Sequence, residues 1–111
     1  MDVDTLVDRL QAVANPHRLR ILAELAEQST HVSELARRLG MSRALLYMHM
    51  RRLEEAGYVT GRLELSADGK ALKYFEVVPF EITIDLDVVV AAVAATPALP
   101  ATDLGDDKEN G

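Results

Sequence analysis

Hydrophobic positions recur at helical spacing through the first half of the chain. Four segments before Gly57 place apolar residues three and four positions apart, which is the pattern of amphipathic helices that pack on a common core. Asn15-Pro16 separates the first two segments, because Asn15 can cap a new helix and Pro16 can occupy its first position. The pattern therefore predicts four helices, the second of which ends near Gln28.

A short break at residues 40–42 joins the third and fourth helical segments. Gly40 can end the third helix in a left-handed cap, and Ser33 is a suitable residue to begin that helix. Ser42 then caps a fourth helix, which we predict over residues 43–56. Two short helices that meet around a small glycine-containing turn are typical of a helix-turn-helix, whose second helix presents its outer face to a DNA groove.

The spacing of apolar residues changes to two after the fourth helix. Val59 to Leu65 alternates as a strand, Asp68-Gly69 is a turn sequence, and Leu72 to Glu76 alternates again on the return. A β-hairpin directly after a helix-turn-helix predicts a winged helix-turn-helix, which is a mostly α fold with a β-hairpin wing (α+β).

The last apolar segments follow two different patterns. Phe80, Ile82 and Ile84 alternate with polar residues as in an edge strand. The run from Leu86 to Ala95 is apolar on all sides, and we interpret it as a helix that is capped by Asp85 and buried in a dimer. A longer strand is the alternative, because three consecutive valines favour sheet.

Chain length leads to the same expectation of a dimer. A core built from 111 residues alone is marginal, and a second copy would bury additional apolar surface. We therefore predict one domain over residues 1–96 that dimerises through its N-terminal and C-terminal helices. The predicted dimer contacts are Val3, Leu6, Val7 and Leu10 in the first helix and Leu86, Val89, Val90 and Val93 in the last.

Composition excludes several classes of protein. The chain contains no Cys, so a disulfide framework, a thiolate metal site and a thiol redox switch are excluded. Its first residues are acidic, unlike a signal peptide, and no apolar run approaches the roughly 20 residues that a membrane span needs. We expect a cytoplasmic protein that makes no contact with a membrane.

The formal net charge of −6 is distributed unevenly. Residues 31–75 carry eight Lys and Arg against five Asp and Glu, whereas residues 76–111 carry one Lys against eight acidic residues. The basic surplus therefore coincides with the helix-turn-helix and the hairpin. A globally acidic chain of this kind can still present a locally attractive face to DNA.

The polar side of the fourth helix is basic and has no acidic residue before Glu54. Arg43 and Tyr47 are predicted to read bases, whereas Arg51 and Arg52 are predicted to attract the phosphate backbone. Packing against the third helix is the alternative role for Tyr47. On the wing, the predicted contacts to the flanking backbone or minor groove are Arg62, Lys70 and Lys73.

Three short motifs resemble a known family. They are Asn15-Pro16-His17-Arg18-Leu19-Arg20-Ile21-Leu22, Val32-Ser33-Glu34-Leu35-Ala36 and Leu53-Glu54-Glu55-Ala56-Gly57-Tyr58-Val59. Together they are similar to the ArsR-type winged helix-turn-helix regulators, over roughly residues 5–78. The resemblance implies a homodimeric prokaryotic transcriptional regulator, most often a repressor, whose subunits are joined through the first and last helices.

The resemblance also assigns the DNA-reading segment to residues 42–52 of this chain. It adds Ser42, Ala44, Met48 and His49 to the predicted DNA contacts, and His49 matches a histidine that is common in that segment. Helical spacing alone marks Met48 as a packing residue, as it does Met50. Tyr47 stands where many members have a small Ser, so we do not carry over the usual half-site sequence.

No metal site or other cofactor is expected. Metal-sensing members of the family carry a Cys-rich first helix or a His/Asp set in the last helix, and this chain has neither. The remaining candidates, His17, His31 and His49, lie in three different elements without ligand spacing, and the first two are most simply surface or capping residues.

A DNA-binding regulator is the leading functional hypothesis. We expect a homodimer that binds an inverted-repeat operator in double-stranded DNA, and the effector remains unknown. No nucleophile, base or phosphate-loop arrangement is visible, so an enzyme is not expected. The alternative is a winged-helix module that binds another protein, because fold does not fix function and the net charge is acidic.

The last segment, residues 97–111, contains Pro, Gly and Asp and almost no large apolar residue. This composition predicts a disordered acidic tail. Its carboxylates can compete weakly with DNA for the basic face; a solubilising tail without a regulatory role is the alternative.

Overall fold

The computed structural model describes residues 1–97, which contain five helices and a three-stranded sheet. The helices are α1 (Val3–Val13), α2 (Pro16–Glu27), α3 (Val32–Leu39), α4 (Arg43–Glu55) and α5 (Leu86–Ala94). The strands are β1 (Thr30–His31), β2 (Val59–Leu65) and β3 (Ala71–Val77). Except for Pro97, the predicted tail lies outside the described residues.

Helix boundaries follow most of the caps that the sequence predicts. The Asn15 side chain accepts hydrogen bonds from the backbone N–H groups of His17 and Arg18, and Pro16 opens α2. Gly40 has a φ of 62°, the left-handed conformation that ends α3. Ser42 Oγ accepts from the Leu45 N–H at 3.1 Å and begins α4. The predicted helix-turn-helix is confirmed.

Two boundary predictions are wrong. His31, not Ser33, caps α3, because its Nδ1 lies 3.4 Å from the Glu34 N–H while Ser33 is already inside the helix. The edge strand predicted over residues 80–84 is irregular chain. The segment cannot pair with the preceding strand β3, since β3 already has a hydrogen-bonded neighbour on each side in the order β1-β3-β2.

The hairpin was correctly predicted. The register of β2 and β3 pairs Val59 with Val77 at one end and Leu65 with Ala71 at the other. Gly69 has a φ of 87° in the connecting turn, which only glycine adopts readily. The strand β1 was missed because two residues are too few to show an alternation.

Residues Asp8–Ile82 form one compact unit with a continuous hydrophobic core. Helix α4 contributes Leu46, Met50 and Leu53, which lie on one face at the predicted spacing and are 0–1% exposed. Tyr58 is also fully buried, and its hydroxyl donates to the Arg9 carbonyl at 2.8 Å. The core therefore fixes one face of α4 and leaves the opposite face outside.

Among the described residues, a second unit consists of Met1–Val7 and residues 83–97. The helix interpretation of its apolar run is confirmed, and Asp85 is the cap, because its carboxylate accepts from the Val88 N–H at 2.8 Å. Thr96 Oγ1 accepts from the Val3 N–H at 2.9 Å, which ties the two segments together. No helix within residues 1–97 is long and apolar enough to cross a membrane.

The predicted dimer contacts differ in their exposure. Leu6 is 7% exposed, so its own chain already covers it and the structure does not support its predicted contact with a partner. Val3 and Leu10 are half-buried. The exposed members are Val7, Leu86, Val89, Val90 and Val93.

Candidate DNA interface

The outward face of α4 carries most of the predicted contacts. The predicted contacts that are exposed on this helix and its cap are Ser42, Arg43, Ala44, Tyr47, Met48 and Arg51, and the other exposed residues of α4 are Leu45, Glu54 and Glu55. The predicted contacts lie opposite the buried stripe of Leu46, Met50 and Leu53. The packing interpretation of Met48 is wrong, since this side chain is 60% exposed, whereas that of Met50 is confirmed.

Tyr47 is 49% exposed and lies between two clefts that separate α4 from β3. One cleft, of about 280 Å³, is also lined by Arg51, Glu54 and Lys73. The other, of about 150 Å³, is also lined by Arg43 and Lys73. These four side chains, Arg43, Tyr47 and Arg51 of α4 with Lys73 of β3, therefore share one surface, called the reading surface below.

The three cations of the reading surface have one carboxylate nearby, that of Glu54, which lines the same cleft as Arg51 and Lys73. Within residues 1–97, no acidic side chain forms an ion pair with Arg43, Arg51 or Lys73. Arg43 Nη1 instead donates to Ser33 Oγ at 3.2 Å, which links the two helices of the helix-turn-helix. Lys73 Nζ lies 5.5 Å from the centre of the Phe75 ring. These positive charges are available to an anionic ligand.

Two cations predicted to contact DNA are ion-paired instead. Arg52 Nη2 lies 3.0 Å from the Asp8 carboxylate, because Arg52 follows Arg51 on the helix and points about 100° away from it, toward α1. Arg62 on β2 pairs with Glu64 and, at 3.9 Å, with Glu76. The hydrogen bond to Glu64 and the two carboxylates raise the pKa of Arg62. Arg52 and Arg62 are therefore ion-paired within the protein, and a contact of either side chain with DNA stays a prediction.

Helix α3 offers little additional positive charge. Both Arg37 and Arg38 hydrogen-bond to the carboxylate of Glu34. The bond from Arg37, with the two nearby positive charges, lowers the pKa of Glu34 to about 2, so this carboxylate stays ionised at neutral pH. On the wing, Lys70 is exposed in the turn, where its backbone N–H donates to Ser66 Oγ at 3.1 Å.

His49 does not belong to the exposed face. It is 4% exposed, and its Nδ1 lies 3.2 Å from Arg18 Nη1 of α2. The structure therefore does not support the predicted DNA contact by His49, because the α4 backbone places the ring toward α2. Sequence reasoning missed Arg18, although one signal was available: Pro16 lacks the N–H that would close the last turn of α1, so a nearby donor was required there.

Sequence comparisons identify relatives of this chain. The family described as bacterial regulatory protein, arsR family, matches residues 15–60. An uncharacterized HTH-type transcriptional regulator of Methanocaldococcus jannaschii is 34% identical over 79 residues, which are 71% of this chain and 82% of that protein.

Solved structures with the same fold include two regulators. One is the solution structure of a homodimeric winged helix-turn-helix DNA-binding domain from Mycobacterium bovis, a possible ArsR-family transcriptional regulator. It matches with a TM-score of 0.60 and 27% sequence identity, and the match covers 68% of this chain and 65% of that one. The other is the transcriptional regulator HlyU from Vibrio vulnificus, with a TM-score of 0.54, 37% identity and coverage of 64% and 69%.

These matches agree with the helix-turn-helix and wing described above. They identify a family of transcriptional regulators rather than of enzymes. The chain therefore belongs to the arsR family of bacterial regulatory proteins, and it is a winged helix-turn-helix transcriptional regulator that binds DNA.

Proposed function

We propose that this regulator recognises a specific double-stranded DNA sequence as a homodimer and acts as a repressor. The observation that carries the proposal is the reading surface, where Arg43, Arg51 and Lys73 surround the exposed Tyr47 without acidic partners among residues 1–97. An exposed helix face with Arg and Tyr side chains suits base edges and phosphates in a major groove. Each copy offers one such helix to half of an inverted repeat.

The four side chains of the reading surface have different roles in this proposal. Arg43 and Tyr47 lie in the N-terminal half of α4, the part of a recognition helix that contacts base edges, and they read sequence. Arg51 and Lys73 attract phosphates, which adds affinity without sequence preference. Ser42, Ala44, Met48 and Lys70 are exposed near this surface and contribute smaller contacts.

The operator can be identified by selection from a randomised duplex library with the purified full chain. A two-fold dimer should select an inverted repeat whose half-site centres lie about one helical turn apart, ~34 Å. Enrichment of no sequence would contradict the proposed function and would favour the alternative, a winged helix that binds another protein.

Dimerisation is proposed to involve α5. Its exposed side chains Leu86, Val89, Val90 and Val93 leave a short helix with an apolar face in contact with water, which a second copy would cover. The homodimeric state of the Mycobacterium bovis domain supports this proposal.

Replacing Val90 with Glu is expected to convert the dimer to a monomer, because a charge placed in a packed apolar interface is left without a partner. Light scattering on the wild type should give twice the chain mass of 12.2 kDa, and Val90→Glu should give the chain mass. Leu65→Glu is the control, since Leu65 is also an exposed apolar residue, at 77% against 60% for Val90, but lies on the wing. A wild-type protein that is monomeric at micromolar concentration would contradict the proposal.

The wing should contact DNA through Lys73 rather than Arg62. Lys73→Ala is expected to weaken binding to all sequences and to reduce the slope of log affinity against log salt by about one, the value for one lost phosphate contact. Arg62→Ala should change the slope much less, because Glu64 and Glu76 already neutralise this cation. Salt titrations of both variants test the difference, and equal slopes would show that the Arg62 ion pairs open on DNA.

We also propose that the controlling signal is not a bound metal ion. The sequence has no Cys, and residues 1–97 contain no group of three or more His, Asp or Glu side chains arranged to hold a metal. Affinity for the selected duplex should be unchanged by Zn²⁺ at micromolar concentration or by a chelator.

A further inference from the structure

The guanidinium of Arg18 donates hydrogen bonds to carbonyl groups at the C-terminal end of α1. The Gln11 and Ala12 carbonyls at this end have no partner within the helix, because the Asn15 N–H bonds to another carbonyl and Pro16 has no N–H. Arg18 supplies the missing donors, with Nε 2.6 Å from the Ala12 oxygen and Nη2 3.2 Å from the Gln11 oxygen. A cation in this position also interacts favourably with the negative end of the helix dipole.

The remaining nitrogen of the same guanidinium reaches the recognition helix. Arg18 Nη1 lies 3.2 Å from Nδ1 of His49, whose buried ring lies on the side of α4 that faces α2. A guanidinium only donates hydrogen bonds, so Nδ1 must be the acceptor and the ring must be neutral, with its proton on Nε2. Within the described part of the chain, Nε2 has no hydrogen-bond partner.

We propose that Arg18 and His49 are positioning residues for DNA recognition, and that they hold α4 in its DNA-reading orientation against the last turn of α1. This inference rests on the proposed function. Two hydrogen bonds tie the planar guanidinium to α1, and the third joins it to α4 at His49, two residues beyond Tyr47, so this group links the rotation of α4 to the end of α1. A small rotation there would displace the reading surface, because adjacent helix positions point about 100° apart.

Protonation of His49 would break this arrangement. The charged groups acting on the ring are Arg18 and His17 of α2, with the two imidazole centres 5.5 Å apart. The last turn of α1 contributes carbonyl oxygens, which accept hydrogen bonds from Arg18. The carboxylate of Asp8, also in α1, forms an ion pair with Arg52 of α4. A protonated ring would lose the acceptor for Arg18 and would add a second positive charge beside it.

Burial, and then the charges of Arg18 and His17, lower the pKa of His49 below its ordinary value of 6.5. The folded state therefore favours the neutral ring. Its contribution to stability is complete above pH 6.5 and is lost as the pH falls from there toward the lowered pKa. Recognition should be intact at neutral pH and should weaken only in acid, when His49 itself becomes protonated.

The first test uses the duplex obtained by selection, at pH 7.5. His49→Leu removes the acceptor and should weaken binding about tenfold, whereas His49→Asn, whose Oδ1 can accept from Arg18, should restore affinity to within about twofold. Arg18→Ala should also weaken binding about tenfold, and the double variant with His49→Leu should be no weaker than either single one. Arg20→Ala is the control, since it removes an exposed cation from the same helix.

The second test compares affinity with the protonation of His49, followed by its ring ¹⁵N NMR signals. Wild-type affinity should fall with the same midpoint as the His49 titration, and His49→Asn should lack this fall. A proton on Nδ1 at neutral pH, or His49→Leu binding like the wild type, would overturn the inference while leaving the proposed function intact. If the wild type selects no duplex, the proposed function fails and the positioning role fails with it.

Discussion

Removing Arg43 and Arg51 together is expected to weaken binding to the selected operator by about 100-fold, because a base contact and a phosphate contact are lost at separate positions. Arg43→Ala alone should reduce discrimination among sequences, since Arg43 lies in the first turn of α4. Arg51→Ala alone should weaken operator and random DNA by similar factors and should lower the salt dependence.

The matched control is the double variant Arg37→Ala and Arg38→Ala. It removes the same charge from the neighbouring helix α3, where both cations are held by Glu34, so affinity should change little. Filter binding or fluorescence anisotropy at two salt concentrations measures the wild type and all four variants. Unchanged affinity after loss of Arg43 and Arg51 would show that the reading surface has been assigned to the wrong face.

Replacing Leu46 with Ala should lower the free energy of unfolding by about 2–5 kcal/mol. Leu46 is fully buried in the core face of α4, so its truncation leaves a cavity between this helix and its neighbours. Urea denaturation at one fixed protein concentration measures the loss, because the stability of a dimer depends on concentration.

Leu45→Ala is the control for this substitution. Leu45 is the adjacent residue of the same helix and is 37% exposed, so the same chemical change should cost about 1 kcal/mol or less. Equal losses for Leu45 and Leu46 would mean that the buried face of α4 differs from the one described here.

Features of the fold that depend on neighbouring residues could be predicted from the sequence. The caps at Asn15, Gly40 and Ser42 act within one helical turn, and the hairpin is determined by alternation around one turn sequence. Strand β1 and the irregular segment that follows β3 depend on which edges of the sheet are occupied. That information is non-local, and the apolar pattern does not contain it.

The residues of the candidate site also divide into those that local sequence predicts and those whose contacts depend on distant residues. Arg43, Tyr47 and Arg51 follow from helix periodicity, because an exposed face can be deduced once the buried stripe is known. The partners of Arg52 and His49 are Asp8 and Arg18, which lie 44 and 31 positions away in sequence. Only the packing of α4 against α1 and α2 shows that Arg52 and His49 form these contacts within the protein.

The ion pairs of Arg52 and Arg62 have a consequence for how this regulator searches a chromosome. Because these cations are ion-paired within the protein, each copy has fewer positive charges that can displace counterions from random DNA. We therefore expect a low affinity for non-operator sequence. The operator competes with a vast excess of other sites, and occupancy depends on the ratio of specific to non-specific affinity. A regulator of this kind should spend less of its time trapped elsewhere on the genome, and a small number of molecules per cell should be enough to keep one operator filled.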